Sequence, residues 1–272
     1  MHDRFPILTW HSINVLENTY AGSDLIAFAE DLQLLDSLGW TMLPLQTALD
    51  QLAHGKLPSR TVALTADDGS RMDFEEFDHP TCGPQNSMVG LMREFLSATD
   101  HRRHQLHLSC FVIASPEARA ELDRTDYMDL DVWPDRWWRP ANESGLISIE
   151  NHSWDHNHGS LARTVQRENR RGDFRWIETF EECRAEVDQA SDYIETTSGR
   201  RPAFFAYPYG QASDYIRFDY LPRRGPDIGL KAALGCEPEP VTLASDPWHL
   251  PRYVCGRDWK SPEELASLLR NL

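Results

Sequence analysis

No stretch of the 272-residue chain approaches the ~20 consecutive apolar residues of a bilayer-spanning helix, so no such span and no membrane partner is expected. The first residues, Met1-His2-Asp3-Arg4-Phe5-Pro6, lack the charged head and apolar run of a secretory signal, and a cytoplasmic location is the expectation. The five cysteines (Cys82, Cys110, Cys183, Cys236 and Cys255) are odd in number, widely spaced and without a CxxC pair. That pattern argues against a disulfide framework and for reduced thiols. Positive charge is scarce, with 27 Lys and Arg against 43 Asp and Glu and a net charge of −16. Such a field repels phosphate backbones and anionic surfaces, which removes nucleic acid from the expected partners. Repeats, low-complexity tracts and a dividing linker are also missing. What remains is 40% hydrophobic and 26% charged, the composition of an ordinary folded chain. At roughly 100–200 residues per domain the length allows one large domain or two small ones, and a single domain over 1–272 is expected.

Hydrophobic patterning alternates strands with helices. Buried-strand patterns cover 5–10, 41–45, 61–65, 108–113, 146–150, 203–207 and 230–234. Between them, Leu25, Ile26, Phe28, Ala29, Leu32, Leu35 and Leu38 recur at helical spacing, with Ser23 as N-cap and Gly39 as stop. Shorter helices are expected at 47–52 and 87–96. Another is expected from Thr179, which with Glu182 forms a capping box, and a last one opens at Ser261-Pro262-Glu263-Glu264. The alternation implies an α/β fold with a mostly parallel sheet, open or closed into a barrel. Three polar excursions, near 70–85, 115–144 and 157–178, read as long loop insertions.

The sharpest chemical feature is Thr65-Ala66-Asp67-Asp68-Gly69, two adjacent carboxylates directly after an apolar strand. Strand ends are where α/β active sites form, and neighbouring enclosed carboxylates call for a cation or a shared proton. Standing alone, the pentapeptide would read as a surface Asp-Gly turn. After another strand, however, comes Asn151-His152-Ser153-Trp154-Asp155-His156-Asn157-His158. Two imidazoles four apart with one carboxylate make a metal site with positions left open. No glutamate follows His152, which rules out an HExxH protease helix. A third strand runs into Tyr207-Pro208-Tyr209-Gly210, a turn able to aim the Tyr209 N–H at a developing oxyanion.

These segments, in this order, resemble the polysaccharide deacetylases of carbohydrate esterase family 4. Thr65 to Gly69 is similar to that family's T-F-D-D-G, His152 to His156 to its H-[ST]-x-x-H, and Phe205 to Gly210 to its F-x-Y-P-Y-G. The opening Pro6-Ile7-Leu8-Thr9-Trp10-His11 and the late Leu250-Pro251-Arg252-Tyr253 are similar to segments of the poly-N-acetylglucosamine deacetylase branch. The resemblance implies a distorted (β/α) barrel, a divalent metal, and hydrolytic removal of an N-acetyl or O-acetyl group from an N-acetylated oligosaccharide or polysaccharide. Metal ligation is expected at Asp68, His152 and His156, with zinc the default and cobalt, nickel or iron also compatible with a mixed nitrogen and oxygen site. Asp67 is the expected general base and Tyr209 the oxyanion donor. Arg252 is expected to orient Asp67, because the arginine of the family's R-x-P-Y-G form is missing. Two histidines compete to protonate the leaving amine. His11 is chosen because the resemblance covers Trp10-His11, while His249 joins Trp154, Pro208 and Tyr209 as residues expected to touch substrate. His158 is read as a bystander. Ala66 replaces the family's usual aromatic.

Trp133, Trp137, Trp138, Trp154 and Trp176 fall in or beside the long loops, as stacking rings for sugars or as buried anchors. Arg163, Arg167, Arg170, Arg171 and Arg175 make a basic stretch that reads as a solvated face, with contact to an anionic substituent as the alternative. Two other functions compete: an amidase or esterase for a small acylated non-carbohydrate compound, and a silent carbohydrate-binding homologue.

Overall fold

The computed structural model describes residues 3–98, 103–162 and 172–272. Its centre is an eight-stranded sheet in which every pairing is parallel. Its strands are β1 (Ile7–Trp10), β2 (Thr41–Met42), β3 (Thr61–Ala66), β4 (Leu108–Val112), β5 (Ile147–Asn151), β6 (Phe204–Ala206), β7 (Ala232–Leu234) and β8 (Tyr253–Val254). The order is β7-β6-β5-β4-β3-β1-β8, with β2 added beside β3. A parallel bridge between Leu234 and Leu250 brings the approach to β8 against β7, so the sheet curls back on itself as the expected distorted (β/α) barrel.

Alternation along the strands sorts the side chains. Leu8, Trp10, Leu64, Ala66, Leu108 and Cys110 pack outward beneath the helices, α1 (Asp24–Ser37) and α3 (Met88–Ala98) among them. Ile7, Ala63, Phe111, Ala206, Leu234 and Leu250 share a second cluster with Leu45, Ala48 and Leu52 of α2 (Leu45–Ala53). Trp10 is also tied down by chemistry. Its indole N–H, that of Trp259 and the Tyr20 hydroxyl all donate to the buried Asp31 carboxylate of α1, at 3.2, 3.1 and 2.6 Å. Burial pushes that carboxyl up to about 7. The anchor fixes the end of β1, where His11 follows.

Three expectations need correction. The opening strand is broken at Pro6: Arg4–Phe5 pairs antiparallel with Val241–Thr242, and only Ile7–Trp10 enters the main sheet. The stretch 115–144 is not one loop, since it holds helices at Pro116–Asp126 and Trp138–Ser144. The 70–85 stretch contains a hairpin of Phe77–His79 with Gly83–Gln85. The Thr179–Glu182 capping box and the Ser261 cap are both present. Trp133, Trp137 and Trp138 are buried anchors, with Trp138 covered by the Arg119 guanidinium at 4.8 Å. Of the basic stretch, Arg163, Arg167, Arg170 and Arg171 lie outside the described residues, while Arg175 pairs with Asp173 at 2.7 Å.

Candidate active site

Because all eight strands run the same way, their carboxyl ends share one rim, the place where α/β barrels build sites. A cavity of about 220 Å³ opens there, lined among others by His11 after β1, Asp67 and Asp68 after β3, His152 and His156 after β5, and Tyr209 after β6. The sequence motifs therefore converge although they lie far apart in the chain.

Asp67 continues the line of β3, its N–H donating to the Trp10 carbonyl at 3.0 Å. Asp68 then turns into the left-handed region at φ 68° and Gly69 follows at φ 54°. A Cβ on Gly69 would lie 2.4 Å from Val112 Cγ1 and 2.8 Å from the Val112 Cα, so only glycine fits this reversal. Ser153, His156 and Tyr209 also take positive φ (72°, 64° and 59°). Non-glycine residues in that region cost on the order of 1–3 kcal/mol each and persist where surrounding contacts over-determine them.

Asp67 is 5% exposed and Arg252 is fully buried. The guanidinium grips the carboxylate with two bonds, Nη1 to Oδ1 at 2.7 Å and Nη2 to Oδ2 at 2.8 Å, and Nε donates to the Gly235 carbonyl at 2.8 Å. Burial pushes the Asp67 carboxyl up, yet Arg252, His152 and His11 together hold it below the usual carboxylate range. The expected orienting partner is thus in contact with the expected base.

Asp68 Oδ1 stands 3.5 Å from the Nε2 of His152 and 3.5 Å from the Nε2 of His156. Among the described residues these three form the one group of His, Cys, Asp or Glu able to hold a metal, with ligand atoms within 4.8 Å of one another. Zinc bonds of about 2.0–2.1 Å at tetrahedral angles separate ligand atoms by roughly 3.3–3.4 Å, so the set fits a divalent cation with small adjustment. The His152 Nδ1 lies 2.8 Å from the Ala206 carbonyl, which fixes the proton on Nδ1 and leaves the Nε2 lone pair toward Asp68. Burial raises the Asp68 carboxyl, but the two histidines outweigh it and hold it well below the usual range. His156 is pushed down to about 3 by burial and then by its neighbour His152, so its imidazole is neutral and able to ligate.

His11 is half-buried, with its backbone N–H donating to Asp24 Oδ2 at 2.7 Å and its Nδ1 3.9 Å from the same oxygen. Tyr209 packs its ring against His156, with centroids 4.5 Å apart.

Three of the residues expected to touch substrate do not line this cavity. Trp154 does not line the cavity. The Glu186 carboxylate takes its N–H, and its ring packs edge-on against Tyr193. Pro208 is buried within its turn. His249 pairs with Glu237 at 3.2 Å and lines a separate cleft with Arg217 and Asp246. Conversely, His158, Cys236 and Arg257 do line the cavity. Cys236 lies two residues past β7, on the same rim as the other strand ends, so the strand pattern at 230–234 carried that signal; Arg257 had none.

A family model described as polysaccharide deacetylase matches residues 54–221. No curated protein matches the chain. Among solved structures, IcaB from Ammonifex degensii is similar with TM-score 0.65 and 18% identity, covering 99% of this chain and 98% of that one. The deacetylase PplD of Streptococcus pyogenes, in complex with acetate, gives TM-score 0.65 and 16% identity over 98% of both chains. A de-N-acetylase from Aggregatibacter actinomycetemcomitans gives 0.64 and 16%, covering 98% of this chain and all of that one. At such identities the likeness is one of fold.

Proposed function

Because the chain belongs to the polysaccharide deacetylase family, we propose that it removes an acetyl group, by preference from an amide nitrogen, on an N-acetylated oligosaccharide or polysaccharide. The observation that carries this reading is the convergence of Asp68, His152 and His156 beside an Arg252-held Asp67 in one cavity. A silent binding homologue has no use for that combination.

Asp68, His152 and His156 would hold a divalent cation, zinc by default. Such a cation supplies Lewis-acid polarisation of the scissile carbonyl and raises the acidity of nearby water, as a base of such low proton affinity as Asp67 requires. The Asp67 carboxylate, kept ionised by Arg252, takes a proton from the water that attacks the acetyl carbon. The Tyr209 N–H donates to the oxyanion as the carbonyl opens. His11 delivers a proton to the leaving nitrogen as the carbon–nitrogen bond breaks, releasing acetate and the free amine.

The test is a panel of chitooligosaccharides, acetylated xylan and simple N-acyl amides, with acetate release measured with zinc, with chelator, and after zinc is restored. Chelator-sensitive release from the chitooligosaccharides is the expected result. Release from the simple amides alone would move the assignment to a small-molecule amidase.

His11 carries its own prediction. An activated aryl ester expels a good leaving group without help, whereas an amine must be protonated. His11→Ala should therefore lose roughly 10²–10⁴-fold on an amide substrate and little on an aryl acetate. Equal loss on both would make His11 a binding or structural residue.

A further inference from the structure

The loop that carries His156 is held from behind by a distortion in a neighbouring helix. The chain from Phe180 to Ser198 is one helical rod in which Arg184–Gln189 forms a π-turn between the α-helical pieces Phe180–Cys183 and Ala190–Ser198. π-turns recur where a helix must present groups out of the regular register. Here the groups all meet one segment. Glu186, 4% exposed, accepts the backbone N–H groups of Trp154 and Asp155 on a single carboxylate oxygen, at 3.1 and 3.3 Å. The Val187 carbonyl and the Ser191 hydroxyl both accept from the Asn151 side-chain amide, each at 2.9 Å. The Asn151 side-chain Oδ1 in turn accepts the Ser153 N–H at 2.7 Å, and the Ser153 hydroxyl accepts the His156 N–H at 2.8 Å.

The bonds form a chain from the π-turn to the backbone of His156, and they hold a loop whose Ser153, His156 and Asn157 all sit at positive φ. A six-residue loop left to itself would relax out of those angles and carry the His156 imidazole away from Asp68. We propose that Glu186 is a positioning residue of the metal site. From the π-turn it fixes the His152–His156 loop in the conformation that lets both imidazoles face Asp68. The inference rests on the reading that Asp68, His152 and His156 bind a divalent metal.

Zinc affinity, measured by competition with a chromophoric chelator, tests it with wild-type protein, Glu186→Ala, Glu186→Asp and Glu186→Gln. Glutamine keeps an oxygen acceptor of the same reach and should bind zinc within about threefold of wild type. Alanine removes the acceptor, and aspartate falls one methylene short. Each should weaken zinc binding by roughly 10–100-fold, the range found for lost partners of metal-ligating groups. Activity lost by these variants at limiting zinc should return at saturating zinc, which a general loss of structure would not permit. Should Glu186→Ala fail to fold, Glu186→Asp and Glu186→Gln decide the matter between them. Zinc affinity of folded Glu186→Asp within twofold of wild type overturns the inference while leaving the metal reading intact. A wild-type protein that takes up no zinc overturns both.

Discussion

Asp67→Asn is expected to keep its metal and lose turnover by roughly 10²–10⁴-fold. The asparagine side chain has the same shape, its oxygen can still accept from Arg252, and the groups proposed to hold the metal lie on Asp68, His152 and His156. What disappears is the carboxylate that the guanidinium holds against the cavity. Metal content and acetate release measured on the same preparation check this. Near-normal turnover with full metal would return the base role to another group.

Arg252→Met is expected to act on both stability and pH dependence. The guanidinium is fully buried and its partner nearly so, and removing one member of such a pair leaves an uncompensated buried charge, at a cost of about 3–5 kcal/mol. The folded carboxyl of Asp67 lies below its unfolded value of about 3.9. Its contribution to stability is therefore present above pH ~4 and is lost as pH falls through the folded value. Without Arg252 the largest lowering influence is gone and the carboxyl rises, so the acid limb of the rate profile should move to higher pH. Denaturant melts and the pH dependence of kcat/KM follow the two effects. Arg252→Lys keeps the charge but not the two-pronged grip, and should fall between. An unmoved acid limb in a folded Arg252→Met protein would reduce the ion pair to scaffolding.

The rim of the barrel was legible because its chemistry is concentrated at strand ends. Strand patterns at 61–65, 146–150 and 203–207 placed Asp67, Asp68, His152 and Tyr209 at one end of the sheet, since parallel strands share their carboxyl edge. The contact of Arg252 with Asp67 was reachable as an expectation only by asking what replaces a missing arginine. Helix Pro116–Asp126 was missed because it buries little beyond Ala118, Arg119 and Leu122, so its apolar stripe is too thin for periodicity to register. Its entry signal was nonetheless present: Ser115-Pro116-Glu117 is the same cap, proline and acid that marked the last helix at Ser261-Pro262-Glu263. Trp154 and His249 lie off the cavity for another reason. Nearness in sequence to a motif says nothing about which way a side chain turns: the Trp154 ring packs edge-on against Tyr193, and His249 pairs with Glu237. Glu186 lay beyond reach because a π-turn leaves no compositional mark.

The grip of Arg252 on Asp67 joins residues 185 positions apart, and that separation sets an order of events during synthesis. Chains are made from the N-terminus, and a domain folds as a unit. Asp67, Asp68, His152 and His156 are all made before the segment that curls the sheet shut through Leu250 and lays β8 against β1. Until that segment is made, Asp67 lacks the counter-charge that Arg252 supplies and β1 has one open edge. The span matched by the family model, 54–221, holds Asp67, Asp68, His152 and His156 but neither His11 nor Arg252. The two-pronged ion pair is consequently the last of these contacts to become available, when the segment leading into the closing strand delivers its guanidinium.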